Sequence, residues 1–175
     1  MAAVEFLGVI PVERLWAPWR MAYIEQPDSE GCIFCLDAVD FDLREKLILY
    51  KGEETLIMLN KFPYNNGHLL IAPRRHMADL EELSPAETAE LSWALQQSVA
   101  VLKKALTPQG FNLGMNLGAI AGAGVAWHLH YHIVPRWKGD TNFMPVLADV
   151  RVLPEHLNQT YEKLSPFFKD FGKGF

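Results

Sequence analysis

The stretch His128-Leu129-His130-Tyr131-His132-Ile133-Val134 decides how the rest of the chain reads. Histidine alternates strictly with an apolar or aromatic residue, and two β-branched residues close the run before Pro135, which is the period of a β-strand. Side chains on a strand alternate between faces, so His128, His130 and His132 are expected on one face. At a rise of about 3.3 Å per residue, adjacent imidazoles lie about 6.6 Å apart and the outer pair about 13 Å. One zinc ion, with Zn–N bonds of about 2.0–2.1 Å, cannot take all three. A lone His on such a strand would read as a hydrogen-bonded core residue. Three in register point to chemistry.

Composition narrows what that chemistry can be. The chain has 175 residues, 50% of them hydrophobic, enough for one domain with a real core. Sixteen Lys and Arg against 21 Asp and Glu give a net charge of −5, which argues against non-specific nucleic-acid binding. A small phosphate ligand needs only a local cluster of donors and stays open. No stretch approaches 18 consecutive apolar residues, so no membrane span is expected. The apolar N-terminus carries Glu5 and no basic region, and reads poorly as a signal peptide. Cys32 and Cys35 are the only cysteines, too few for a disulfide framework. A cytoplasmic location is the expectation.

Outward from the histidines, the pattern alternates strands and turns. Phe111–Leu117 reads as a strand, followed by the small-residue loop Gly118-Ala119-Ile120-Ala121-Gly122-Ala123-Gly124. This is not a dinucleotide fingerprint, since no βαβ unit surrounds it. Small residues let backbone N–H groups approach a phosphate, so Gly122, Ala123 and Gly124, with Asn116 at the entrance, are candidate phosphate contacts. Lys46–Tyr50 and Glu54–Asn60 form two apolar runs around Gly52, a hairpin pattern, and Gly67–Pro73 reads as a third strand. Ser84-Pro85-Ala86-Glu87 is a capping box with Pro at the first helical position; it opens a long helix ending near Leu106, before Pro108 and Gly110. Leu157, Tyr161 and Leu164 mark a second amphipathic helix over Pro154–Leu164. Trp137 has two readings, a base-stacking platform or a buried anchor.

These residues together resemble the histidine-triad (HIT) nucleotide hydrolase and transferase superfamily, whose signature alternates three His with apolar residues. The likeness runs from Leu15 to Asn158. The blocks WAPWRMAYI (16–24), CIFC (32–35), YNNGHLLIAPRRH (64–76), GFNLGMNLG (110–118) and VPRWKGDTNFMPVL (134–147) look like its diadenosine tetraphosphate phosphorylase and hydrolase branch. The resemblance implies an α+β fold, a mainly antiparallel five-stranded sheet with one long helix packed on it and a C-terminal helix. It implies an N-terminal arm (1–14), one domain (15–165), a C-terminal tail (166–175) and a homodimer. It assigns nucleophilic attack to the middle histidine, His130, with His132 and His68 in support, and contact with the ribose to Asn60, which by itself reads as a turn former. Imidazole suits such an attack, because its neutral form is nucleophilic near pH 7 and its second nitrogen can fix the ring by a hydrogen bond.

Cys32-Ile33-Phe34-Cys35 has three readings: a redox pair, half of a zinc site, or coincidence. A redox pair would open a helix within a βαβ pattern, which is absent nearby. Zinc-bearing members of the superfamily imply Cys32, Cys35, His76 and His128 as a closed structural tetrahedron. The resemblance therefore implies an enzyme acting on adenine nucleotides or dinucleoside polyphosphates. Two rivals remain at this point. One is a metallohydrolase in which two strand histidines and a carboxylate hold an open zinc; the other is a nucleotide-binding protein with weak turnover.

Overall fold

The structure is a computed structural model that describes residues 31–35, 42–140 and 155–172. The expected N-terminal arm (1–14), the aromatic block 14–24 and residues 141–154 lie outside the described residues. Five strands, β1 (Ile48–Lys51), β2 (Thr55–Leu59), β3 (Leu69–Pro73), β4 (Gly110–Gly114) and β5 (Tyr131–Arg136), form one sheet of order β1-β2-β3-β5-β4. Every neighbouring pair is antiparallel. Among the described residues two α-helices, α1 (Pro85–Leu106) and α2 (Leu157–Phe168), join this sheet in an α+β fold.

The sheet is covered on both faces, and residue parity says how. Ile57 and Leu59 of β2, Leu69 and Ile71 of β3, and Ile133 of β5 join Leu91, Leu102, Leu164 and Phe168 in the core under the helices. The alternate residues Leu56, Met58, Leu70 and Ala72 form a second, smaller core with Phe34, Ile48 and Val125. All residues of β2 and β3 are buried, which is why both strands read as continuous apolar runs instead of alternating ones. His68 and His132 share the parity of the second core and so belong to the face away from α1.

The histidine strand departs from its expected bounds. Pairing of β5 with β3 begins at Ile71↔Tyr131, so His128 and His130 lie before the ladder. The same register would set Pro73 opposite Leu129, but Pro73 has no N–H to give. The Leu129 amide donates to the Met77 carbonyl instead, at 2.6 Å. The strand expected over Phe111–Leu117 likewise stops at Gly114, whose partner is His132, close to where β5 itself begins. At the other end, the helix expected over Pro154–Leu164 runs from Leu157 through Pro166 to Phe168. Phe168 and Phe171 stack at 4.7 Å and are both buried, so packing holds the chain here. Among the described residues the packing thus reaches Phe171, within the expected C-terminal tail (166–175).

The long helix starts as its sequence says. Ser84 Oγ accepts the Glu87 amide, and the Glu87 carboxylate accepts the Ser84 amide at 2.7 Å. That carboxylate also receives both Nε and Nη2 of Arg75, at 2.9 and 3.0 Å. Arg75 adjoins His76, so this pair ties the exit of β3 to the start of α1. The Arg75 guanidinium, opposed by burial and helped by the cap, holds the Glu87 carboxyl down at about 2. A carboxyl lowered in the folded state contributes stability that is complete above its unfolded value and is lost as pH falls through the folded one. Glu87→Gln is therefore expected to cost on the order of 1 kcal/mol at pH 7, since the half-exposed Arg75 is partly screened. Urea titrations should show the difference from wild type shrinking between about pH 4.5 and pH 2.

Candidate functional site

The site is built where the approach to β5 crosses the ends of β2 and β3. His68 is fully buried, one residue ahead of β3, after a turn that places Gly67 at φ +71°. A side chain at position 67 would be strained there and would collide with Leu106, so glycine is required. The Tyr64 backbone N–H donates to His68 Nδ1 at 3.0 Å. In a neutral ring the proton then sits on Nε2, and His68 Nε2 meets His132 Nδ1 at 2.9 Å as its donor. The Tyr64 ring stacks on His68 at 4.9 Å and 24°. A backbone amide thus fixes His68, and His68 in turn fixes His132.

His130 is held differently. It is 5% exposed, and its Nδ1 lies 2.8 Å from the His128 carbonyl. A carbonyl only accepts, so Nδ1 carries the proton and Nε2 of the neutral ring keeps a lone pair. The His132 ring stands edge-on to it, with centroids 4.9 Å apart.

His128 faces a third environment. Its Nε2 donates to the Pro73 carbonyl at 2.8 Å, which leaves the Nδ1 lone pair toward the cysteines. Nδ1 lies 3.2 Å from Cys32 Sγ and 3.6 Å from Cys35 Sγ, while His76 Nδ1 lies 3.1 Å from Cys35 Sγ. Burial lowers the His128 pKa, with the Pro73 hydrogen bond opposing it and His76 and His130 adding to the fall. The ligand atoms of Cys32, Cys35, His76 and His128 all lie within 4.8 Å of one another. Tetrahedral zinc with two sulfur and two nitrogen ligands has ligand–ligand edges of about 3.3–3.8 Å, so this donor set fits the ion. A backbone carbonyl on the outer nitrogen of a ligating His is the usual way to orient it. Among the described residues this is the one such cluster, and His130 and His132 are not in it. No cluster among the described residues joins two strand histidines to a carboxylate, the arrangement the open-zinc metallohydrolase requires.

Other expected contacts divide. Asn116 Nδ2 donates to the Gly122 carbonyl at 3.3 Å, so the Asn and the glycine loop do meet. The Gly122 and Ala123 amides, however, donate back to Ala119 and Gly118 within a 3₁₀ turn (Ala119–Ala121), at 3.0 and 3.4 Å. They are engaged inside the loop in place of an anion cradle. Asn60 places Oδ1 on the Phe62 amide at 2.9 Å and Nδ2 3.3 Å from His68 Nδ1, the behaviour of a turn former. Trp137 shares the parity of Tyr131 and Ile133 and packs against the core under the helices. It is partly buried there, on the face opposite the histidines. Two residues were missed by sequence reasoning: Tyr64, and Phe34, whose ring touches both His128 and His130. The signal for Phe34 was a large apolar residue enclosed between the two cysteines of a C-x-x-C pair.

Comparison with known proteins agrees with this geometry. The HIT domain family model matches residues 44–139. The AP-4-A phosphorylase of Mycobacterium tuberculosis is 37% identical over 162 residues, 88% of this chain and 83% of that protein. The asymmetrical bis(5'-nucleosyl)-tetraphosphatase of Schizosaccharomyces pombe is 31% identical over 53% of this chain and 50% of its own length. A Zn-bound histidine triad family protein from Mycobacterium smegmatis superposes with a TM-score of 0.58 at 25% identity, covering 74% of this chain and 88% of that one. With the three histidines, the five-stranded antiparallel sheet and these likenesses in agreement, the chain belongs to the HIT family.

Proposed function

We propose that this chain is a dinucleoside polyphosphate phosphorylase or hydrolase working through a covalent nucleotidyl-histidine on His130. The observation that carries the reading is the 2.8 Å hydrogen bond from His130 Nδ1 to the His128 carbonyl, which commits Nε2 to be the nucleophile. Nε2 attacks the phosphorus next to one nucleoside. A P–N bond forms, the P–O bond to the departing nucleoside polyphosphate breaks, and the bridging oxygen leaves with the electron pair. Phosphate or water then attacks the same phosphorus, and the P–N electron pair returns to Nε2. The aligned pair His68–His132 keeps the neighbouring imidazole in one tautomer beside the reacting nitrogen.

Phosphoryl transfer depends on positioning and on fixed donors for the phosphate oxygens. Asn116, whose amide has a second hydrogen beyond its bond to Gly122, and the Gly124 backbone are the donors we assign. Cys32, Cys35, His76 and His128 would hold a zinc ion, supported by their donor chemistry and by the Zn-bound mycobacterial relative. With four protein ligands such an ion would supply structure, tying the Cys32–Cys35 turn to the segment that leaves β3 and the one that leads into β5. We further propose that this single HIT domain acts as a homodimer in the cytoplasm; two cysteines set against imidazoles, and in no disulfide, support the cytoplasmic part of the reading.

The likeness to a phosphorylase over most of the chain favours phosphate as the acceptor, and the shorter likeness to a tetraphosphatase is the support for water. Incubation with diadenosine tetraphosphate separates the two. ADP and ATP formed only when phosphate is present mean phosphorolysis, and AMP and ATP without phosphate mean hydrolysis, whereas two ADP would contradict attack next to the nucleoside. No turnover of any dinucleoside polyphosphate, with AMP still bound in a calorimeter, would leave the binding-protein reading instead.

A further inference from the structure

Phe34 occupies an unusual place. Cys32 and Cys35 close a four-residue turn, with the Cys35 amide donating to the Cys32 carbonyl at 3.1 Å. Of the two residues at its centre, Ile33 is 42% exposed and Phe34 only 2%. The Phe34 ring enters the smaller core beside Leu56, Leu70 and Val125. There it lies 5.0 Å from the His128 ring and 5.1 Å from the His130 ring, at 49° and 32°. Each flanking cysteine has its sulfur against an imidazole of the metal cluster. One aromatic ring thus touches a metal-ligating histidine and the proposed nucleophile, on a turn whose two ends are metal ligands.

We propose that Phe34 is a positioning residue for His130, and that a metal bound by Cys32, Cys35, His76 and His128 acts on the reaction through it. The inference rests on the reading of His130 as nucleophile. The hydrogen bond from Nδ1 to the His128 carbonyl holds one edge of the His130 ring, and the His132 ring stands edge-on to it. Phe34 adds the flat apolar neighbour at 5.1 Å that sets the tilt of the His130 plane. Both ends of the turn must be held for the ring to stay seated. A metal holds them with two thiolates while its other two bonds go to His76 and His128, which belong to the body. The direction of the effect follows: loss of the clamp loosens Phe34, and a loosened Phe34 lets His130 Nε2 leave its line of attack.

The test uses the full chain loaded with zinc and compares wild type with Phe34→Ala and Phe34→Tyr. With diadenosine tetraphosphate and phosphate, Phe34→Ala is expected to lower kcat about 10- to 100-fold, the scale of a misplacement near 1 Å. KM should stay within about threefold, and Phe34→Tyr, which keeps the flat face, should recover most of the rate. The second readout is independent of turnover. Long-range 1H–15N spectra at fixed pH, with His130→Asn for assignment, should show a single Nδ1-protonated tautomer for His130 in the zinc-loaded wild type. An averaged pattern is expected both in Phe34→Ala and in wild type stripped by a chelator. Should Phe34→Ala fail to fold, Phe34→Leu, which keeps the volume without the face, gives the same comparison. A raised KM at unchanged kcat would make Phe34 a substrate contact, and an unchanged His130 spectrum in the variant and the stripped protein would show no positioning; either overturns the proposal. An active His130→Asn protein would instead sink the nucleophile reading, while the spectra still decide what Phe34 does to the ring.

Discussion

His130→Asn is expected to lower turnover of diadenosine tetraphosphate by about 10⁴- to 10⁶-fold, the cost of deleting a catalytic nucleophile. Asparagine is of similar reach but has no nitrogen lone pair able to form the P–N bond. The buried ring donates from Nδ1 to the His128 carbonyl, and the Asn amide N–H can donate to the same carbonyl, so the variant is expected to fold, which its melting temperature checks. KM, or the dissociation constant for AMP, should change little, since the contacts that bind the nucleotide are made by other residues. His132→Asn is the informative companion. It cuts the contact with His68 while leaving His130 in place, so a smaller fall is expected, in kcat and not in KM. Equal losses from the two substitutions would show that the histidines act as one unit.

The second large effect is on stability. Cys35→Ser is expected to abolish stoichiometric zinc and to lower the melting temperature. A ligand present at about a thousandfold excess over its dissociation constant stabilises the folded state by about 4 kcal/mol. For a domain of this size that corresponds to a fall of about 10 °C. The same shift should appear in wild type treated with a chelator, and the chelator should do nothing further to Cys35→Ser. Two equal, non-additive shifts identify one site. Cys32→Ser and His76→Ala should fall on the same curve, because the cluster has four ligands and three do not close a tetrahedron. Elemental analysis of protein purified without chelator checks the stoichiometry, and protein free of metal with an unchanged melting temperature would remove zinc from the account.

The strand pattern, the capped helix and the cysteine half of the metal set are legible in the residues because each rests on local spacing. Ser84 and Glu87 lie one helical turn apart, and their two reciprocal bonds need only each other. Cys32 and Cys35 are paired by the turn between them. Where the outcome depends on a distant partner, spacing is silent. Nothing in the residues around His128 says that Pro73 will sit opposite Leu129 and end the ladder, moving two of the three histidines outside the strand. Nothing near Trp137, just past the end of β5, says that it packs, partly buried, against the core under the helices, and its aromatic, cationic setting points the other way. The glycine loop is legible as a close-turning segment but not in the use of its amides, which the 3₁₀ turn takes for itself. Phe34 is the clearest case. Its side chain can be named as apolar from the start, but its two imidazole neighbours, His128 and His130, come from the far end of the chain.

The covalent step requires one nitrogen, His130 Nε2, to bond phosphorus. Mass spectrometry of enzyme acid- or base-quenched during turnover of diadenosine tetraphosphate, then digested, reads that bond directly. One AMP residue should be found on the peptide carrying His130, accumulating within a single turnover and absent from His130→Asn. An adduct on another residue, or full turnover with none on any residue, would contradict it.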